Sequence, residues 1–150
     1  MLSVGDDAAV LRFSGDTVVT TDMLIENGHF KRQWSSASAV GRKAVAVNVS
    51  DVEAMGARPS AVVVALAFPK DLDQAWVAEF EDGVKEECAT AGVSLVGGDL
   101  SSASVISICV TAIGDLEGRP PVTRSGAKVG EVVAVTGRLG WSAAGLTVLQ

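Results

Sequence analysis

The stretch that decides the fold is residues 41–51, which read GRKAVAVNVSD. Alanine and valine fill positions 44–47 and 49, whereas Asn48 and Asp51 stand three positions apart and would share one face of a helix. The pattern predicts a long helix over residues 37–55 that is buried on most sides and ends at Gly56. The apolar, β-branched run 61–67 that follows predicts a buried strand. A buried helix that leads into a buried strand indicates a layered α/β or α+β domain.

The rest of the chain alternates between short strands and helices around this pair. A loop over residues 26–35 holds His29, the one histidine of the sequence. A second helix, capped by Asp71 or Asp73, is predicted to end at Gly92. The remaining predicted elements are strands over residues 8–13, 18–21, 93–96, 105–113 and 132–136, and a last helix that begins at Ser142.

Composition limits the classes of protein to which the chain can belong. With 150 residues, 48% of them hydrophobic and 20% charged, it suits one globular domain. A net charge of −6 disfavours nucleic acids and anionic membranes as partners. The longest apolar runs are too short for a membrane-spanning helix. The two cysteines lie far apart without metal-ligand spacing, which is typical of reduced thiols in a cytoplasmic protein.

Four aspartates share a context that suggests a metal site. Asp7 precedes the first predicted strand, Asp22 and Asp99 follow predicted strands, and Asp51 interrupts an apolar helix. Strand ends can present side chains into a cleft, and Mg²⁺ prefers oxygen ligands. A charge in a buried helix needs a cation, a partner or water. The alternatives are a turn or cap role for Asp7, a plain strand end for Asp22, a turn for Asp99 and a structural ion pair for Asp51.

Two further segments suit phosphate binding, although neither decides the matter. In residues 97–99, GGD, the glycines allow a close approach of the backbone or a positive φ, and a plain turn is the alternative. Residues 124–128, RSGAK, form the most concentrated basic stretch, where Arg124 could hold a phosphate or lie in a solvated loop. The sequence contains neither a P-loop nor the catalytic-loop signature of protein kinases.

Taken in order along the whole chain, these motifs resemble those of the thiamine-monophosphate kinases. That family belongs to a superfamily with aminoimidazole ribonucleotide synthetase, selenophosphate synthetase and a hydrogenase maturation factor. The matching segments are residues 5–10 (GDDAAV), 20–24 (TTDML), 29–30 (HF), 41–51, 54–57 (AMGA), 97–99, 123–128 (TRSGAK) and 142–146 (SAAGL).

The resemblance implies a set of ligands for each group that such an enzyme binds. Magnesium ligands are implied at Asp7, Thr20, Thr21, Asp22, Asp51 and Asp99. His29 would contact the thiamine phosphate, and Gly98, Asp99 and Arg124 would help to hold ATP. No catalytic base is implied, because the acceptor phosphate is already an anion.

The resemblance also implies an architecture and an activity. Residues 1–137 would be the ATP- and magnesium-binding N-terminal kinase domain, a mixed sheet flanked by helices that pairs into a barrel across a homodimer. Residues 138–150 would begin a C-terminal domain or a linker helix, and a chain that lacks the rest of that domain need not be active. The implied reaction is ATP-dependent phosphorylation of thiamine monophosphate to thiamine diphosphate. The alternatives are another enzyme of the superfamily, similar to the hydrogenase maturation factor, and a non-catalytic dimerisation module.

Overall fold

The fold is a mixed sheet with helices packed on it. The computed structural model describes residues 7–150. Its elements are β1 (Thr17–Ile25), α1 (Ala37–Ala54), β2 (Arg58–Phe68), α2 (Gln74–Ala91), β3 (Ser94–Ser102), β4 (Ser107–Asp115) and α3 (Trp141–Leu149). The four strands form one sheet in the order β1-β4-β2-β3. Strands β2 and β3 are parallel, whereas β4 runs antiparallel to both of its neighbours. The predicted mixed α/β class is confirmed.

Local signals in the sequence set the bounds of the two long helices. The Ser36 side chain accepts a hydrogen bond from the Ala39 amide and caps α1. Asp73 caps α2 in the same way, and α2 ends at Gly92, whose φ of 66° suits glycine. Of the two predicted caps, Asp71 and Asp73, the structure has Asp73, and the predicted end at Gly92 is confirmed. Within residues 7–150, none of the helices is both long and apolar enough to cross a bilayer.

Helices α1 and α2 cross with their backbones in contact. A Cβ atom at Gly41 would lie 2.3 Å from the carbonyl oxygen of Phe80, and one at Gly83 would lie 2.1 Å from that of Ser38. Such distances leave no room for a side chain at either position. The two glycines therefore allow α2 to pack directly on α1.

The core lies on one face of the sheet. Helix α1 packs against β1, β2 and β4, while α2 packs against α1 and β3. Core residues from both layers include Val45, Val52, Val62, Phe80, Ile108 and Val110. None of the described helices covers the other face of the sheet, which we call the open face. On it Val19 is 62% exposed and Met23 is 51% exposed.

Four strand predictions differ from the structure. Residues 8–13 form no strand, and β1 extends from Thr17 to Ile25, so that Asp22 lies within a strand. Strand β3 continues through the GGD segment because its backbone pairs with β2 as far as Ser102. Residues 132–136 are exposed and pair with no described strand. Their β-branched residues have no partner to pack against, and β-propensity acts mainly through such packing.

Candidate functional site

Thr20 on β1 and Asp51 on α1 meet where the helix crosses the sheet edge. The Thr20 hydroxyl donates a hydrogen bond of 3.4 Å to Oδ2 of Asp51. Asp51 lies on the exposed side of α1 and not in its buried stripe. The argument that a buried charge demands a cation is therefore wrong, because water reaches this carboxylate. Its place beside an edge-strand hydroxyl makes it accessible to a ligand.

Asn48 joins α1 to β1 one helical turn before Asp51. Its side chain is 1% exposed. Its Oδ1 accepts a hydrogen bond of 3.0 Å from the Asp22 amide, and its Nδ2 donates one of 2.9 Å to the Ala44 carbonyl. The sequence placed Asn48 on the same helix face as Asp51 but did not indicate what the Asn48 side chain binds. Asn48 fixes the backbone of Asp22 relative to the helix that carries Asp51.

The Asp22 side chain lies on the same face of β1 as Thr20, because side chains alternate along a strand. The two positions are separated by about 6.6 Å along the strand. Carboxylates from Asp22 and Asp51 and the hydroxyl of Thr20 are hard oxygen donors, which suits Mg²⁺ with its remaining positions held by water or phosphate. Within residues 7–150, no group of three acidic, histidine or cysteine side chains is close enough to hold an ion without such additional ligands.

Arg124 lines the same cavity as Thr20 and Asp51. A hydrogen bond of 2.9 Å from the Val122 amide to the Met55 carbonyl ties the segment after β4 to the end of α1. This contact brings Arg124 to a cavity of about 430 Å³ that Thr20 and Asp51 also line. Among the described residues Arg124 has no ion-pair partner, so its guanidinium can bind an anion. We call this cavity the acidic cleft.

Asp99 lies far from the acidic cleft. Strand β3 is at one edge of the sheet and β1 at the other, so about 14 Å separate Asp99 from Asp22 across the strands. Asp99 pairs with Ala65 and faces the open side, where the Ser101 hydroxyl donates 2.7 Å to its Oδ2. The expectation that all four carboxylates share a cleft does not hold within one chain. The strand order could not be read from the sequence.

Three other predicted ligands do not line the acidic cleft, namely Thr21, Asp7 and Asp22, which lies two positions along β1 from Thr20. Thr21 alternates with Thr20 and points to the open face, where its hydroxyl donates 3.0 Å to the Val110 carbonyl. The hydroxyls of Thr20 and Thr21 therefore cannot bind one ion together. Asp7 lies in the exposed segment before β1 and does not line the cleft. Asp6, its neighbour in the motif, lies outside the described residues.

Gly98 has a structural reason to be glycine. A Cβ atom there would lie 2.1 Å from the Val64 carbonyl oxygen of the neighbouring strand. Close packing of β3 on β2 thus explains this glycine without a nucleotide. Gly97 is different, because nothing lies within 4 Å of its Cβ position. The open space at Gly97 lies on the open face, next to Asp99.

His29 lies at the far end of β1, beside a second cavity. Its amide donates 2.8 Å to the Ile25 carbonyl, and its Nδ1 accepts 3.0 Å from the Ile25 amide. Lys43, on α1, donates 2.7 Å to the His29 carbonyl. The cavity has a volume of about 440 Å³, and its lining includes Trp34 and Trp141. The charged side chains that line it, Lys31 and Lys43, are both cationic. We call it the cationic cavity.

Asp115 anchors the segment that precedes β1. Its carboxylate accepts hydrogen bonds from the amide of Ser14 (2.8 Å) and the amide of Glu117 (2.7 Å), and a third from the Ser14 hydroxyl. These bonds, led by that of the Ser14 amide, hold the pKa of Asp115 below its ordinary value. The side chain is 6% exposed. No local pattern in the sequence indicates a role for this residue, which positions the segment leading back to Asp7.

The comparisons with known proteins agree on one family. Residues 5–116 match the model of the AIR synthase related protein family, N-terminal domain. A thiamine-monophosphate kinase of Mycobacterium tuberculosis is 51% identical over 146 residues, which cover 97% of this chain and 44% of that protein. The structure of a thiamine monophosphate kinase from Aquifex aeolicus aligns with a TM-score of 0.74 and 39% identity, covering 85% of this chain and 41% of the other.

A second similar structure, that of AaThiL, contains ligands. It is complexed with AMPPCP and TMP, and it aligns with a TM-score of 0.66 and 41% identity over 75% of this chain and 36% of that one. The chain spans less than half the length of the curated relatives it matches, 44% and 45% for those of Mycobacterium tuberculosis and Corynebacterium glutamicum.

Proposed function

Because the chain belongs to the AIR synthase related proteins through their N-terminal domain, we propose that it is the ATP- and magnesium-binding part of a thiamine-monophosphate kinase. Residues 1–137 would form this domain, and residues 138–150 would lead into the C-terminal part. The reaction transfers the γ-phosphate of ATP to thiamine monophosphate and gives thiamine diphosphate. Relatives named thiamine-monophosphate kinase support this choice over the other enzymes of the superfamily. A cytoplasmic location would follow from the activity.

One observation carries the proposal: two cavities lie at the two ends of α1, on either side of the β1 segment that carries Asp22. The acidic cleft offers the Asp51 carboxylate and Arg124 at one end of α1, and the cationic cavity offers Lys43 at the other. Lys43 and Asp51 are about 12 Å apart along the helix, at 1.5 Å per residue. Two phosphorylated substrates could thus meet between them, with the donor phosphates at Asp51 and Arg124 and the acceptor phosphate at His29.

Asp22, Asp51 and the Thr20 hydroxyl are the residues that would hold magnesium. The bound ions would neutralise the repulsion between two polyanions and stabilise the charge that develops on the transferred group. Arg124 would add a bidentate contact to a phosphate. The protein itself positions these ligands, since Asn48 keeps the Asp22 backbone at a fixed place relative to Asp51.

The acceptor needs no general base. Its phosphate oxygen is already anionic and forms the new bond to the γ-phosphorus, while the bond from that phosphorus to the bridging oxygen of ADP breaks. His29 and Lys43 orient the acceptor phosphate for this in-line displacement. We propose direct transfer, with no phosphorylated enzyme group.

Asp99 would enter the site from a second copy of the chain. The open face carries exposed Val19 and Met23, and none of the described helices covers it. An apolar sheet face is normally buried against another layer. A homodimer in which two such sheets face each other as a barrel would cover it, and would bring the Gly98 and Asp99 of one chain towards the acidic cleft of the other.

Thiamine monophosphate turnover by the full-length protein tests the activity. We expect magnesium-dependent formation of thiamine diphosphate by the wild type. Asp51→Asn should lower kcat by about two orders of magnitude or more, because a lost ligand site weakens transition-state charge stabilisation. Glu53→Gln is the matched control, since Glu53 is an exposed acid on the same helix that does not line the cleft. Equal activity in Asp51→Asn and Glu53→Gln would refute the role of Asp51.

Subunit mixing tests the contribution of Asp99 from a partner. A heterodimer of Asp22→Asn and Asp99→Asn chains, purified through two different tags, should have about half of wild-type activity, because one of its two sites receives both changes and the other none. Homodimers of either variant should be inactive. If Asp22 and Asp99 of one chain served the same site, every site in the heterodimer would carry a change and no activity would return. A protein that dimerises yet binds neither Mg²⁺ nor ATP would instead be a non-catalytic dimerisation module.

A further inference from the structure

We propose that the Ile25 amide holds His29 as the neutral tautomer with its proton on Nε2. We further propose that Lys43 is a positioning residue that fixes the His29 loop, so that this N–H donates to the acceptor's phosphomonoester. The inference rests on the proposed function and deepens it, since it assigns the atom that binds and the residue that orients it.

The hydrogen bond at Nδ1 determines the tautomer. A backbone amide can only donate, so the Nδ1 atom at 3.0 Å from the Ile25 nitrogen must present a lone pair. In a neutral imidazole the proton is then on Nε2. Within residues 7–150, no group accepts a hydrogen bond from Nε2. This N–H is therefore available to a ligand in the cationic cavity that His29 lines.

The loop around His29 is held at several points. The Asn27 amide donates 2.7 Å to the Phe30 carbonyl, and Phe30 itself is 7% exposed in the core. Asn27 has a φ of 67°, a left-handed conformation that asparagine tolerates better than most residues. The reversal of the chain at this point brings the ring of His29 back to the amide of Ile25. A ring held in this way loses little further freedom when it binds a ligand.

Lys43 connects this loop to the helix that carries Asp51. One of its three donors is used by the His29 carbonyl at 2.7 Å. The others remain for an anion in the same cavity, whose charged lining consists of lysines in a chain of net charge −6. Lys43 thus fixes the distance between the acceptor site and the acidic cleft. A phosphomonoester attached to an aromatic ring matches the lysines and the two tryptophans that line this cavity.

Nitrogen NMR of the imidazole tests the tautomer without any activity measurement. The His29 signals of ¹⁵N-labelled protein are identified by their loss in His29→Gln. We expect the shift of an unprotonated Nδ1 and of a protonated Nε2. A protonated Nδ1, or an even mixture of both tautomers, would overturn the inference.

Steady-state kinetics test the two roles in the full-length protein. His29→Asn keeps an acceptor where Nδ1 was but cannot reach the ligand, so KM for thiamine monophosphate should rise about 10- to 100-fold, as for a lost hydrogen bond to a charged group. His29→Gln keeps a more distant donor and should raise KM less. The reverse order, with His29→Asn near wild type, would show that the ring serves only the loop.

Lys43 is tested by rescue. Lys43→Met should raise KM for thiamine monophosphate about tenfold and alter the His29 nitrogen shifts, whereas Lys43→Arg should restore most of both. KM for ATP and the melting temperature should stay near wild type, which separates positioning from a general loss of structure. An equal rise in both KM values would overturn the role of Lys43. A wild-type protein without thiamine monophosphate turnover would refute the proposed function, while the NMR result would still decide the tautomer.

Discussion

The crossing of α1 and α2 gives the sharpest stability prediction, the effect of Gly83→Ala. The added Cβ would lie 2.1 Å from the Ser38 carbonyl oxygen. The helices would have to part by about 1.3 Å, the difference between that distance and an ordinary contact of 3.4 Å. Overpacking against backbone costs about 3 kcal/mol, and the better helix propensity of alanine offsets about 1 kcal/mol. We expect a net loss of about 2 kcal/mol in the free energy of unfolding.

Thermal unfolding measures this loss and provides its control. For a chain of this size, about 2 kcal/mol lowers the melting temperature by roughly 4–8 °C. Gly145→Ala is the matched variant, because Gly145 is also helical but has nothing within 4 Å of its Cβ position. That change should leave stability equal or raise it by up to about 1 kcal/mol. If Gly83→Ala unfolds at or above the wild-type temperature, the close helix crossing described here is wrong.

Two further predictions concern the polar residues that hold the site together. Asn48→Leu removes two hydrogen bonds and leaves the Asp22 amide without its acceptor, so the free energy of unfolding should fall by about 2 kcal/mol. The control, Ser50→Ala at an exposed position of the same helix, should change it by less than about 0.5 kcal/mol. Equal effects of the two changes in denaturant titrations would contradict this account. Because folding lowers the pKa of Asp115, its stabilising contribution is complete above the ordinary aspartate pKa and is lost as pH falls through the folded-state value. The melting-temperature difference between wild type and Asp115→Asn should therefore be largest near neutral pH and shrink in acid, and a difference that does not change with pH would refute the role of that carboxylate.

The sequence was sufficient to predict the helices, because the signals that set their bounds are local. Helix α1 was predicted from its apolar residues and its stop at Gly56, and helix α2 from its apolar periodicity and a cap at Asp71 or Asp73; the structure has both within a residue or two of the predicted bounds. Strand ends were predicted less well. The GGD segment suggested a turn, but pairing with β2 continues the strand through it, since a glycine is compatible with a ladder that requires close packing.

The site could be predicted only in part, because its geometry depends on strand order. The motifs of residues 20–22 and 48–51 were identified together, and the structure brings Thr20, Asn48 and Asp51 into one region. The distance from Asp22 to Asp99 follows from the order β1-β4-β2-β3, which no local pattern encodes. Asp115 was missed for a similar reason. Its partner Ser14 is 101 positions away in the sequence.

The central claim is that Asp51 and its neighbours on β1 bind divalent cations that hold phosphates. Electron paramagnetic resonance of Mn²⁺, which takes the same oxygen ligands as Mg²⁺, measures this directly in the presence of a non-hydrolysable ATP analogue. We predict nucleotide-dependent Mn²⁺ binding in the wild type and in Glu53→Gln, with a loss of bound Mn²⁺ in Asp51→Asn. Undiminished Mn²⁺ binding by Asp51→Asn would contradict the account.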